Sequence, residues 1–236
     1  MVTTKRQNLI LNSIVKEYIA LAKPVSSQTL EKEYQFDLSP ATLRIEMQRL
    51  TDKGFLYQPH TSAGRIPTDK GYRFFVDDLL ESIPFDLGNI LKIQELLREE
   101  SKDVLRFVAR LTKFLAETSS SFAILNLLEK DLFWKEGWEE IFAKPEFREK
   151  GFIPNFVEIL DSLEKATQSL KINSGIKIYI GKENPFSRAR DFSIILSECH
   201  FPSKGKGIVS LLGPKRMAYD RNIALINSFK KILDNF

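Results

Sequence analysis

Apolar positions in the first third of the chain recur at helical spacing. Leu11, Val15, Tyr18 and Ala22 predict an amphipathic helix from Thr4 to Ala22. Lys23-Pro24 ends it, because the residue before a proline is pushed out of the helical region. Ser26 then offers a side-chain oxygen to the orphan amides of a second helix. Val25 and Leu30 form an apolar pair across its start. The same device follows at once, with Leu38 before the cap Ser39, Pro40 in the first helical position and Leu43 completing the pair. The third helix runs to about Lys53, where Gly54 suits a left-handed terminus. Two short extended runs, Phe55 to Gln58 and Arg65 to Pro67, flank the turn-rich loop Pro59 to Gly64. A fourth helix, capped by Thr68 and carrying Tyr72, Phe75, Val76, Leu79 and Ile83, closes at Pro84. Caps, staples and periodicity agree on three helices followed by a β-hairpin, a winged helix-turn-helix over residues 1–83.

Beyond it the pattern is mixed. Ile90 to Leu97, Val104 to Leu115 and Asn155 to Leu170 read as helices, and Ser119-Ser120-Ser121 as a loop. From Ser174 the period changes to two: Ile176, Ile178 and Ile180 alternate with Lys177 and Tyr179. Phe192 to Phe201 and Gly207 to Leu212 read as further strands, and Tyr219 to Leu233 as a closing helix. The aromatic stretch Phe133 to Phe152, with both tryptophans, fits no single period. The fold class is therefore α+β, with a helical head at 1–83 and an α+β body at 84–236.

Composition narrows the classes. No stretch approaches the ~18 uninterrupted apolar residues of a membrane span. Lys5, Arg6, Lys16 and Glu17 interrupt the N-terminal segment, which leaves no apolar core for a signal peptide. A single cysteine, Cys199, permits neither an intrachain disulfide nor a cysteine-based zinc site. A soluble, cytoplasmic protein is expected. The net charge of +4 matters only once it is located. Residues 1–76 hold 11 Lys and Arg against 7 Asp and Glu, whereas the remainder holds 24 of each. The surplus sits in residues 1–76, the first third of the chain, and points to a polyanion partner there.

In a helix-turn-helix the second helix of the motif enters the major groove of duplex DNA. On the third helix, Leu43, Met47 and Leu50 face the core, so Ala41, Arg44, Ile45, Gln48 and Asp52 face away. Arg44 can grip guanine O6 and N7, Gln48 can pair with adenine, and Ile45 can pack on a thymine methyl. Ser39, Thr42 and Arg49 suit phosphates, helped by the helix N-terminus. Gln58, His60, Thr61, Ser62 and Arg65 lie in a loop that a hairpin would push outward, and Lys70 and Arg73 add cations on the next helix. His60 alone is no metal site, since a metal wants several ligands.

Catalytic constellations are lacking. There is no GxxxxGK[ST], GxGxxG, His-Glu-x-x-His or Gly-x-Ser-x-Gly, and so no cofactor is expected. Cys199 and His200 adjoin on a predicted strand, where neighbours point to opposite faces. Glu139-Glu140 and Asp77-Asp78 read as solvated charges, and Trp134 with Trp138, at helical spacing, as core. Two readings remain from the residues alone: a DNA-binding regulator, or a ligand-sensing or protein-interaction module whose head does not read DNA.

The run Ser39-Pro40-Ala41-Thr42-Leu43-Arg44, with Gly54-Phe55-Leu56, Gln58 through Thr68 and Gly71-Tyr72-Arg73, resembles the HrcA family of heat-inducible transcription repressors. A second match comprises Ile180-Gly181, Glu183-Asn184, Phe192-Ser193, Gly213-Pro214, Arg216-Met217 and Tyr219. The resemblance implies a homodimeric repressor that binds an inverted-repeat operator in double-stranded DNA ahead of chaperone genes and is kept active by a GroE-type chaperonin. It implies a GAF-like regulatory and dimerisation body behind the winged helix. The chain is shorter than the family norm in its middle, so the inserted domain is expected to be reduced or missing. Ile45 stands where the family pattern has a polar residue, and Lys215 where it has Thr.

Overall fold

A computed structural model describes residues 3–81, 87–98, 103–166, 175–202 and 204–233. The chain divides into two compact units, 1–82 and 83–236. The predicted ends at Ile83, Pro84, Leu170 and Ser174 lie outside the described residues.

In the first unit, α1 (Lys5–Leu21) begins at a reciprocal cap: the Thr4 side chain accepts from the Gln7 amide while the Gln7 side chain accepts from that of Thr4. It stops one residue short of the predicted Ala22, which turns left-handed. Ser26 caps α2 (Ser27–Glu33), and Ser39 caps α3 (Pro40–Asp52) with Pro40 in its first turn. Gly54 takes a φ of +77°, the conformation a helix terminus asks of glycine. The strands β1 (Leu56–Tyr57) and β2 (Ile66–Pro67) pair antiparallel, Leu56 opposite Pro67, and are shorter than the predicted runs. Thr68 caps α4 (Asp69–Leu80). Ile10, Leu11, Ile14 and Val15 of α1 are buried, as are Leu30, Leu43, Met47, Leu50, Tyr72, Phe75 and Val76. Gly71 allows a close approach, since a Cβ there would strike the Phe55 carbonyl.

The second unit is built from helices and one sheet. It comprises α5 (Leu87–Arg98), α6 (Val104–Ser119), β3 (Phe122–Leu127), β4 (Leu132–Glu136), α7 (Trp138–Phe142) and α8 (Phe152–Ala166), then β5 (Ile176–Ile180), β6 (Phe192–Phe201), β7 (Gly205–Pro214) and α9 (Tyr219–Leu233). The five strands form an antiparallel sheet in the order β4-β3-β7-β6-β5. Alternation divides its side chains between two apolar layers. Phe122, Ile124, Phe192, Ile194, Leu196, Ile208 and Leu212 join Ile141 of α7 and Phe156, Ile159, Leu160 and Leu163 of α8. On the other side Phe201 meets Phe107 of α6 and Phe229 of α9, with centroids 6.4 and 5.8 Å away. Among the described residues no helix is long and apolar enough to cross a membrane.

Three readings of this unit are corrected. The stretch Phe133 to Phe152 breaks into β4, α7 and a single 3-10 turn, Pro145–Arg148. Trp134 and Trp138 do not share a helix: Gly137, at φ +105°, separates strand from helix, and a Cβ on it would lie 2.6 Å from the Ser121 carbonyl. The loop Ser119 to Ser121 narrows to a turn at Ser120 and Ser121, because α6 runs four residues past Leu115 to the buried Ser119 and β3 starts directly after the buried Ser121. Cys199 is buried and His200 exposed, on opposite faces of β6.

Candidate nucleic-acid interface

The Ser39 hydroxyl accepts from the Thr42 amide at 3.2 Å and shares a hydrogen bond with the Thr42 hydroxyl at 3.1 Å, fixing the entry of α3. From there Leu43, Met47 and Leu50 point inward, which turns Ala41, Arg44, Ile45 and Gln48 outward together. All four are exposed; Ile45 shows 54% of its surface, although an apolar side chain gains nothing from water. The loop between β1 and β2 stands beside this face. A cleft of about 730 Å³ is lined by Ala41, Arg44, Ile45 and Gln48 of α3, Ser26 to Gln28 at the start of α2, and Gln58 with residues 61–65 of the loop.

The loop is held by its own groups. The Gln58 amide donates to the carbonyls of Thr61 at 2.9 Å and Ala63 at 2.8 Å, closing the turn from inside. His60 Nδ1 pairs with the Ser62 hydroxyl at 3.1 Å. Gly64 passes so near the Val25 backbone that a Cβ would strike its carbonyl.

Arg65 is not pushed outward as the hairpin suggested. Its backbone exchanges two hydrogen bonds with Val25, at 2.9 and 2.8 Å, and only 8% of the residue is exposed. Its guanidinium donates inward, to Thr51 Oγ1 at 3.0 Å and to Gln48 Oε1 at 2.9 Å. Burial draws its pKa down, with the charge of Asp52 opposing. The signal was present: in an alternating strand Arg65 shares a face with the buried Pro67, two residues on.

The remaining predicted contacts scatter. Arg49, on the far flank of α3, pairs with Glu46 at 2.7 Å. Glu46 is buried and also accepts from Gln7 of α1 at 2.8 Å, while Gln7 accepts from Lys53 at 2.7 Å. This polar network joins α1 to α3. Glu46 could have been found, because it lies three residues after Leu43 and four before Leu50, on the inward side. Lys70 donates to the Lys53 carbonyl and stands 4.3 Å from the Phe55 ring centroid; Arg73 pairs with Asp77 along α4. Neither lines the cleft; Ser39, Thr42, Arg49 and His60 also stand outside it. Arg44 lines it, and its side chain makes no hydrogen bond or ion pair with another described residue, so its fork of donors is available to a ligand.

Comparison with known proteins first sets the class: transcription repressors, not enzymes. The model of the HrcA protein C-terminal domain matches residues 84–223, more than half the chain, and the chain therefore belongs to the HrcA family. The heat-inducible transcription repressor HrcA of Natranaerobius thermophilus is 28% identical, covering 94% of this chain and 93% of its own length. That of Thermoanaerobacter pseudethanolicus is 26% identical, covering 98% and 96%. The first alignment extends over 320 residues against the 236 of this chain, so the relative carries an internal stretch absent here. A crystal structure described as that of a hypothetical protein, at 2.2 Å, shares the fold with a TM-score of 0.78 at 22% identity, covering 99% of this chain and 97% of its own.

Proposed function

We propose that this chain is a sequence-specific DNA-binding repressor of heat-shock chaperone genes, acting as a homodimer on an inverted-repeat operator. On this reading residues 1–83 are a winged helix-turn-helix, and residues 84–236 are a GAF-like regulatory body whose inserted domain is reduced or missing. A GroE-type chaperonin sustains the active form in the cytoplasm.

The observation that carries the reading is the Arg44 side chain, exposed and unengaged by any described residue, in a cleft shared with Ile45, Gln48 and the loop of the hairpin. In the major groove, Arg44 takes guanine O6 and N7, Gln48 takes adenine, and Ile45 with Ala41 packs against a thymine methyl. Ser39 and Thr42 meet a phosphate at the N-terminus of α3, while His60, Thr61 and Ser62 meet the backbone beside it. Arg49, Lys70 and Arg73 add positive potential around the contact, and Gln58 and Arg65 hold the loop and helix in register. One head offers few contacts, so two half-sites bridged by a dimer supply affinity and palindrome recognition together.

Titration of the full chain against an inverted-repeat duplex tests this. Affinity is expected to fall about a thousandfold between roughly 50 and 200 mM salt, as released counterions demand, with two chains sedimenting per duplex. Binding indifferent to salt and to sequence contradicts the reading.

A further inference from the structure

Gln48 stands in the cleft with both ends of its amide assigned. Arg65 Nη2, which can only donate, reaches Gln48 Oε1 at 2.9 Å, and a carboxylate oxygen of Asp52, which can only accept, takes a proton of Gln48 Nε2 at 2.8 Å. Turning the amide over would set donor against donor and acceptor against acceptor. Arg65 cannot follow such a turn, because Thr51 holds its Nε and Val25 both of its backbone groups.

We propose that Arg65 and Asp52 are positioning residues for specificity: they lock the Gln48 amide in one orientation, so that α3 selects adenine over guanine at one position of each half-site. This rests on the DNA-binding reading above. The carbonyl keeps a second lone pair and the amino group a second proton, so the locked amide still shows one acceptor beside one donor. That pair matches adenine, with its N6 donor and N7 acceptor. Guanine presents two acceptors there and sets one of them against the Gln48 oxygen. An amide free to rotate turns its amino group to either purine, and the distinction is lost. Binding of the hairpin to α3 and choice of base are thus one structural event, since the residue that docks the strand also aims the reader.

Selection of bound sequences from a pool of randomised duplexes, by the full-length protein and its variants, tests the proposal. The wild type is expected to enrich adenine at a position where Gln48→Ala enriches nothing. Asp52→Ala is expected to lower the adenine-over-guanine preference there about tenfold, and Asp52→Ala with Arg65→Met to abolish it. Affinity of Asp52→Ala for a non-operator duplex should stay level or tighten, because a negative charge leaves the face; a general structural defect would weaken it. Asp52 is exposed in the last turn of α3, where loss of a carboxylate favours the helix, so this variant folds even if Arg65→Met does not. An unchanged adenine preference in Asp52→Ala, or in Gln48→Ala, overturns the inference and leaves DNA binding standing. A wild type that enriches no sequence overturns the DNA-binding reading and the inference with it.

Discussion

Residues 1–82 and 83–236 use their polar groups in opposite ways. The second unit sinks a sheet between two apolar layers, where Phe156 alone meets the rings of Phe122, Trp138, Phe147 and Phe192 within 6.2 Å between centroids. The first unit is a small core under a polar skin. It spends its side chains on helix caps, on the Gln7–Glu46–Arg49 network and on the Arg65–Gln48–Asp52 chain. The difference teaches where each kind of failure should appear: truncation in the core of the second unit costs stability, while truncation on the outward face of α3, at Arg44 or Ile45, costs recognition and leaves the fold alone.

The largest effect should follow Phe156→Ala, which opens the aromatic cluster and destabilises by about 3–5 kcal/mol in chemical denaturation. A loss under 1 kcal/mol would mean that the cluster is loosely packed. Arg44→Ala should sharpen the contrast from the other side: about 1–3 kcal/mol of base discrimination lost, with an unchanged melting temperature. If Arg44→Ala melts earlier instead, the residue belongs to the fold and the division of labour fails. Ser39→Ala removes the cap of α3 and should lower stability by about 1 kcal/mol, together with some affinity, since cap and phosphate contact coincide. The smallest effect is a pH dependence confined to the first unit. Burial, then the hydrogen bond to Glu17 and the charges of Glu17 and Glu33, push the Tyr34 phenol up to about 12. Its folded pKa lies above the ordinary 10.0, so the unfolded chain releases its proton first and stability falls as pH climbs from 10.0 toward 12. Ultraviolet absorbance of the phenolate follows it, and a Tyr34 that titrates at its ordinary value would contradict the assignment.

The two units also differ in how much of them can be read from residues in order. Ser26, Ser39 and Thr68 announce the starts of three helices because a cap is a local hydrogen bond, complete within four residues. β6 and α9 were legible to the residue, the one bounded by turns and the other strongly apolar on its buried side. β3 was not, because Phe122–Leu127 is buried along its whole length and shows no alternation. β4 and α7 depend on Gly137, whose role appears only when Ser121 lies against it. At the candidate site, the outward residues of α3 followed from helical period alone. Arg65 was misread: grouped with the turn-rich loop it passes for a solvated charge, although its alternation with Pro67 turns it inward, toward Thr51 and Gln48.

Hydrogen exchange of the full chain, with and without an inverted-repeat duplex, tests the central claim most directly. The account predicts that the duplex slows exchange along 40–52 and 58–65. Protection that falls elsewhere, with α3 and its neighbouring loop exchanging as freely as before, would contradict it.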